Sequence, residues 1–255
     1  MSKEILTIIT LTKNSEKYIS DCIKSLLIAI DQCDIKLIKH IVVDGNSKDN
    51  TLDIIKKLSS STEIYNDDCA PGIYNAINYA IKELVHTPYV CYLHSDDMID
   101  KNFLKIMLNA IVKNAHVNKH IFVGSVLFIN QNNKKLYLRR PPHYFEFFQK
   151  QNNLIFHPNA IYPSEIERNF PYDQKTFSRK ADGQHILEIM KICKQIRIKK
   201  AIYKFRLSSN SWTFNESIKK NVQDKSFFSR VYINLFEDNF YKRLFMKIFG
   251  KSYWN

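Results

Sequence analysis

With only 5 glycines in 255 residues, the chain has too little of the small, permissive residue for a long flexible linker. It has no C-x-x-C pair. Cys22, Cys33, Cys69, Cys91 and Cys193 are scattered and odd in number, which speaks against a disulfide framework or zinc knuckle and fits a reducing compartment. No stretch approaches the ~18 consecutive apolar residues of a membrane-spanning helix. The apolar start is interrupted by Thr7 and Thr10 and lacks a small-residue cleavage site. It therefore reads as a first strand rather than a secretory signal. Internal repeats and low-complexity tracts are missing too, which sets aside solenoids and disordered arrays.

What is present is apolar, aromatic and basic. The hydrophobic share is 45% and the aromatic share 13%, enough for one large domain or one domain plus an appendage. The formal net charge of +13 implies a polyanionic partner: nucleic acid, an anionic membrane or a phosphorylated substrate.

The first half alternates strand and helix. Ile5–Leu11 is a β-branched run suited to a buried strand. Ser15 can cap a helix in which Tyr18, Ile19, Cys22, Ile23, Leu26, Leu27 and Ile30 recur at helical spacing. A second strand is expected from Leu37 to Val43 and a helix beginning at Asp49 or Asn50. A third strand follows near Ile64, then a helix carrying Ile73, Ile77, Ala80, Ile81 and Leu84, then a strand over Tyr89–Leu93. Successive β-α units with short connections predict an α/β fold, a parallel sheet with helices on both faces. Ligands of such sheets sit outside the C-terminal strand ends.

The second half changes character. Ile121–Asn130 and Lys134–Arg139 read as a hairpin turning at Asn132–Asn133, Ile155–Tyr162 as a strand, the segment after Asp182 as a helix, and Ile196–Arg206 as extended. From Ser217 onward the chain reads as amphipathic, aromatic, basic helix.

Two acidic clusters fall at strand ends. Asp44, followed by Gly45-Asn46-Ser47, can accept hydrogen bonds from a base or ribose while Gly45 lets the backbone pass close to a ligand. It can equally form an Asx turn that starts the next helix. Asp96 and Asp97 close the fourth strand, Tyr89–Leu93, and adjacent carboxylates repel unless solvated or bridged by a cation. Hard oxygen ligands suit Mg²⁺ or Mn²⁺; a solvated acidic turn is the other reading.

Four motifs in order carry a resemblance. They are Ile9–Ser15, Ile41–Thr51, Pro71–Asn78 and Leu93–Asp97, and together they resemble family-2 inverting glycosyltransferases of the GT-A fold, of the bacterial surface-polysaccharide type, over about the first hundred residues. The resemblance implies a nucleotide-sugar donor held by Leu11, Thr12, Lys13, Asn14, Asp44, Asp68, Gly72, Asn78 and Asp96, with Arg206 on the diphosphate. It implies a divalent cation, Mn²⁺ or Mg²⁺, on Asp96 and Asp97, with Asp97 the closer ligand. Relatives often carry an acidic residue where this chain has Ala70, and Asp67 or Asp68 stands near enough to substitute. The family also implies a general base heading a helix, matched here by Asp182 in Lys180-Ala181-Asp182-Gly183-Gln184, with Glu165 and Asp173 as the next carboxylates. Asp182 also suits a helix cap. His157 matches a position where relatives often have His, and is otherwise a packed structural histidine. Arg206 precedes Ser208-Ser209-Asn210-Ser211, similar to the family's small-residue loop over the diphosphate; its guanidinium suits a bidentate phosphate contact or, equally, a surface ion pair.

The expected organisation is a GT-A domain over 1–215, with nucleotide-sugar half 1–100 and acceptor half 101–215, then a basic aromatic helical region over 216–255. In the latter, Phe240, Tyr241, Leu244, Phe245, Ile248 and Phe249 form a stripe flanked by Lys242, Arg243, Lys247 and Lys251. Such a helix suits an anionic membrane surface or packs on the core. The expected activity is inverting transfer of one sugar, UDP-linked, to an acceptor hydroxyl, with a lipid-linked glycan as acceptor, on the cytoplasmic face of the cell membrane. Two rivals stand beside it. A nucleotidyltransferase would carry a Gly-rich phosphate loop near the first strand, which Lys13-Asn14-Ser15 is not. A nucleic-acid-binding protein would carry a reading module, and none is found.

Overall fold

The computed structural model of the chain describes residues 4–33, 35–66, 72–115, 119–141, 157–177 and 181–207. Met1–Arg206 form one compact unit and Leu207–Asn255 a second. The expected helix over 217–255 and its membrane face lie outside the described residues, as do Asp68, Ala70, Ile155 and Ser208–Ser211.

Strand β1 (Leu6–Thr12) is buried along its whole length. Its even positions Leu6 and Ile8 enter one core and its odd positions Ile9 and Leu11 the other. That two-sided burial is what a continuous β-branched run implies. β1 pairs in parallel with β2 (Ile38–Asp44) and β4 (Tyr89–Tyr92), and β2 in parallel with β3 (Glu63–Asn66). The order β3-β2-β1-β4 is the doubly wound arrangement expected from the β-α rhythm.

Helices cover both faces. On the first, α1 (Ile19–Asp31), α2 (Thr51–Leu58) and α4 (Phe103–Lys113) bury Cys22, Ile23, Leu26, Ile55, Leu104, Met107 and Ile111. On the second, α3 (Ile73–Tyr79) buries Tyr74 and Ile77. Each fully buried aliphatic side chain contributes about 1.5–3 kcal/mol. A π turn, Ala80–Leu84, extends α3 and keeps Ile81 facing the core. Ser15 does not cap α1 with its side chain. Its carbonyl accepts the N–H groups of Tyr18 and Ile19 at 3.0 and 2.9 Å, while its hydroxyl bonds Ser95 at 2.8 Å.

Beyond β4 the sheet continues with mixed polarity. β8 (Ala160–Pro163) joins β4 and β6 (His120–Ile129) antiparallel, and β9 (Lys194–Arg206) runs parallel to β6 and antiparallel to the short β5 (Met98–Ile99). The expected hairpin is β6 with β7 (Lys135–Arg139), turning at Asn133 with φ 62°. The strand expected from Ile155 begins only at Ala160. His157–Asn159 form a 3₁₀ turn, because Pro158 has no N–H for a ladder and Asn159 spends its amide on the Gly124 carbonyl at 2.6 Å. Short helices α5 (Ser164–Asn169) and α6 (Gln174–Phe177) then lead to α7 (Ala181–Ile189), with Asp182 in its first turn.

β9 carries the feature that shapes the site. Its pairing with β6 jumps from Gly124↔Ile198 to Ser125↔Ile202, so three residues bulge out. A Cβ on Gly124 would lie 2.7 Å from the Ala201 carbonyl oxygen, an approach only glycine permits. After the bulge β9 bends onto β5 and delivers Tyr203 and Arg206 beneath the loop that follows β4.

Candidate active site

The C-terminal ends of β1, β2 and β4 form one edge, and side-chain bonds lock their loops together. Asn14, in the left-handed region with φ 49°, donates its N–H to Ser47 Oγ at 2.9 Å and accepts Lys48 N–H at 2.8 Å. Ser15 N–H reaches Thr51 Oγ1 at 2.7 Å, and Glu16 accepts both nitrogens of Asn50. Gly45 N–H bonds the Thr12 carbonyl at 2.8 Å, and a side chain there would press on Lys13 at 3.3 Å. The Ser15–Ser95 bond ties this cradle to the loop after β4. Leu11, Thr12, Lys13, Asn14 and Asp44 are thus brought together.

Asp44 is 1% exposed, and both its oxygens are engaged by Ser47, from N–H at 2.8 Å and from Oγ at 2.5 Å. Asp44 thus closes a turn over Asp44–Ser47, while α2 starts only at Thr51. Each carboxylate oxygen keeps a further lone pair, so the turn leaves acceptor capacity at the strand end.

The two acidic neighbours divide. Asp97 is 1% exposed, and its oxygens accept the Arg206 backbone N–H and the Tyr203 hydroxyl, each at 2.7 Å. Burial and Asp96 push the Asp97 carboxyl up, while those two donors and the Arg206 guanidinium pull it back. Asp97 therefore braces this loop from a buried position, each of its oxygens engaged by one donor and keeping a further lone pair. Asp96 is half-buried and its carboxylate has no hydrogen-bond partner among the described residues. Arg206 fixes its backbone instead, donating from Nε to the Asp96 carbonyl at 2.7 Å.

Arg206 is fully buried. Its other donors go to the Gln131 carbonyl, Asn133 Oδ1 and Asp21 Oδ2, and its guanidinium lies over the Tyr18 ring 4.5 Å from the centroid. A guanidinium so committed has no fork left for a diphosphate, so the expected phosphate contact gives way to a clamp on the Asp96–Asp97 loop. Asn78 is likewise committed: its amide and the Tyr172 backbone exchange two bonds of 2.9 and 2.8 Å. These bonds brace α3 against the segment that carries Tyr172. Gly72 opens α3 at φ 127°, a conformation strained for any other residue, and Gln174 fills the space beside it.

On the second face, Asp182 Oδ1 accepts Gly183 N–H at 2.7 Å. Burial raises its carboxyl, and the Gly183 N–H, the Tyr74 hydroxyl and His185 draw it back down. Glu165 and Asp173 are exposed. His157 is 5% exposed, bonds the Tyr172 hydroxyl through Nε2, and packs 4.2 Å from the Tyr92 ring. Burial, with His185 and His94 nearby, holds its imidazole neutral. Of its two readings the packed structural histidine is the one this geometry matches.

Reading by motif missed Glu167, Tyr92, Tyr172 and His185, which form a buried polar cluster beside Asp182. The available signal was His185 three residues after Asp182, one turn along the same helix face. Missed too were Tyr203, which donates to Asp97, and Asp21, which accepts from Arg206; no local spacing marks either.

Among the described residues at this edge, Asp96 has the carboxylate without a hydrogen-bond partner. No group of three His, Cys, Asp or Glu side chains gathers among the described residues. Mg²⁺ and Mn²⁺ sites built from one carboxylate plus substrate phosphates and water are ordinary, so Asp96 on its clamped loop fits an ion that arrives with a diphosphate.

A sheet whose parallel strands gather polar residues at their C-terminal edge defines an α/β protein of the doubly wound kind, in which ligands sit at that edge. The profile described as glycosyl transferase family 2 matches residues 7–177, and the chain belongs to that family. No curated protein matches it by sequence. Among solved structures it is similar to Staphylococcus aureus TarS residues 1–349 in complex with UDP-GlcNAc, with TM-score 0.61 and 18% identity over 89% of this chain and 69% of that one. It is also similar to the mannosyltransferase PcManGT from Pyrobaculum calidifontis in complex with GDP-Man and Mn²⁺, with TM-score 0.58 and 16% identity over 92% and 69%. The fold is GT-A, and of the three activities left open by the sequence, the family selects the glycosyltransferase. Among the described residues no helix is long and apolar enough to cross a membrane.

Proposed function

We propose that the chain transfers one sugar from a UDP-linked donor to an acceptor hydroxyl with inversion at the anomeric carbon. The observation that carries this is the half-buried Asp96 on a loop clamped by Arg206, beside the Thr12–Asp44 cradle. The UDP-GlcNAc bound by TarS and the Mn²⁺ bound by PcManGT support the donor and the ion. Leu11 to Asn14, Asp44 and Gly72 line the nucleotide side, and Asp68 is assigned there from its motif. Mn²⁺ or Mg²⁺ on Asp96 would neutralise the departing diphosphate. The clamp on that loop means the carboxylate needs no reorganisation when charge develops.

Asp182 acts as general base. An acceptor hydroxyl is a poor nucleophile, and proton removal as the bond forms accelerates attack by ~100-fold or more. Partial burial lifts the carboxyl toward the working range of a base while its hydrogen-bond donors keep it ionised. Attack from the face opposite the diphosphate inverts the centre. We assign 1–215 to the catalytic domain and 216–255, with its basic aromatic stripe, to the anionic inner face of the cell membrane. A lipid-linked glycan is the acceptor that this location supplies.

A panel of nucleotide sugars tests the reading by thermal shift with Mn²⁺ and with EDTA. Ligand at 100 times its Kd stabilises by about 2.7 kcal/mol. UDP-sugar stabilisation that needs Mn²⁺ is expected. A response to GDP-sugars alone would change the donor, and equal stabilisation in EDTA would remove the metal.

A further inference from the structure

The motif Pro71–Asn78 gives the reaction above only Gly72, yet its helix carries a side chain that reaches the base. Tyr74 and Asn78 stand four residues apart on α3 and share a face. Tyr74 is 5% exposed. Its hydroxyl bonds Asp182 twice, accepting the backbone N–H and donating to the carboxylate. One hydroxyl can do both, because it has one proton and two lone pairs. The N–H it accepts lies in the first turn of α7, where helix donors have no partner inside the helix.

The rest of the motif holds that hydroxyl in place. The Tyr74 ring stacks on Tyr172 with centroids 5.6 Å apart and planes 11° apart. Tyr172 is fixed at both ends: Asn78 bonds its backbone at 2.9 and 2.8 Å, and its hydroxyl donates to Glu167 Oε2 at 3.1 Å. Gln174 Oε1 accepts the Tyr74 N–H at 3.3 Å from the space that Gly72, lacking a Cβ, leaves open. Gly72, Tyr74 and Asn78 therefore act on one point, the start of α7.

Asp182 is half-buried. The titratable groups facing it are Tyr74 from α3 and Tyr162 from β8. Tyr162 gives its hydroxyl to the His157 carbonyl at 3.0 Å, and His185, farther along α7, bonds Glu167. Among the described side chains the donor to the Asp182 carboxylate is thus Tyr74. Burial and the Asp182 charge push its hydroxyl well up, so it remains a donor throughout the working pH range.

We propose that Tyr74 is a positioning residue for the base, its hydroxyl gripping both the backbone and the carboxylate of Asp182 so that the remaining carboxylate lone pairs are held for the acceptor hydroxyl. The proposal rests on Asp182 being the base.

The first test needs no turnover. Tyr74→Phe keeps the ring and its stacking and removes both bonds. The Asp182 carboxyl is followed by ¹³C NMR of the aspartate-labelled full chain, its signal assigned by its loss in Asp182→Asn. A hydrogen bond to the ionised form holds a carboxyl down, so its titration midpoint should rise by about one pH unit in Tyr74→Phe. An unmoved midpoint overturns the proposal and leaves the base untouched. The second test is the pH profile of kcat/KM for hydrolysis of UDP-N-acetylglucosamine, or of the nucleotide sugar selected by the donor panel, with Mn²⁺ and water as acceptor. Activity falls as pH drops through the ionisation of the base, so the acidic limb should rise with the midpoint. At the plateau kcat should drop on the order of 10-fold or more with donor KM unchanged. A midpoint that moves while the limb stays means that the base lies elsewhere, as does an active Asp182→Asn. If Tyr74→Phe does not fold, 3-fluorotyrosine at position 74 decides: it is nearly the same size and a stronger donor, so midpoint and limb should move down, and an unmoved midpoint overturns the proposal.

Discussion

Replacing Asp96 and Asp97 one at a time by Asn separates a metal ligand from a brace. Asp97 offers two acceptor oxygens to two fixed donors, the Arg206 N–H and the Tyr203 hydroxyl. Asn supplies one acceptor and turns an NH₂ toward the other donor. The backbone N–H cannot move, so the conflict falls on Tyr203, whose hydroxyl already accepts the His94 N–H at 3.2 Å. One buried donor loses its partner, at about 1–3 kcal/mol. For a domain of this size that lowers Tm by about 2–12 °C. Asp96→Asn breaks no hydrogen bond among the described residues and should change stability by less than about 0.5 kcal/mol. It should instead abolish the Mn²⁺-dependent part of stabilisation by UDP. Thermal melts of each variant, with and without UDP and Mn²⁺, read both effects in one plate. An Asp97→Asn protein with unchanged Tm and no metal response, beside a silent Asp96→Asn, would reverse the assignment.

Asp182→Asn should keep donor binding and lower turnover by ~100-fold or more; near-normal single-turnover rates would send the search for a base elsewhere. Gly124→Ala places a Cβ 2.7 Å from the Ala201 carbonyl and should cost about 1–3 kcal/mol in urea unfolding, an unchanged midpoint meaning that the β9 bulge yields freely. His40 is buried between Thr10 and Thr62, and burial lowers its pKa to about 3. The unfolded chain therefore binds a proton that the fold refuses. Stability should be full above the ordinary value of about 6.5 and fall by about 2 kcal/mol by pH 5 from this group. Urea midpoints at pH 7 and 5 should show a smaller drop in His40→Gln than in the unaltered protein. In the full chain, replacing Lys242, Arg243 and Lys247 by Gln should weaken sedimentation with anionic liposomes on the order of 100-fold, at about 1 kcal/mol per contact; undiminished binding would detach the membrane role from this segment.

The local pattern of the chain determined the α/β alternation. Two-sided burial makes β1 a continuous apolar run, and 3.6-residue spacing puts Cys22, Ile23 and Leu26 on one face of α1. Both are properties of near neighbours. The order of the four motifs also brought Asn14, Asp44 and Asp96 to one sheet edge, because parallel strands with crossover helices must end on the same side. What the chain's spacing did not disclose is which polar groups are already satisfied. Asp97 is engaged by Tyr203 and Arg206, 106 and 109 residues away. Asn78 is taken by Tyr172 at a separation of 94, and Arg206 by Asp21 at 185. The partnerships of Asp97 and Arg206 follow from β9, which bends after its bulge and passes under the loop of β4. A buried donor or acceptor takes whatever partner the packing brings within about 3 Å, so its role is decided by the tertiary crossing rather than by its neighbours in the chain.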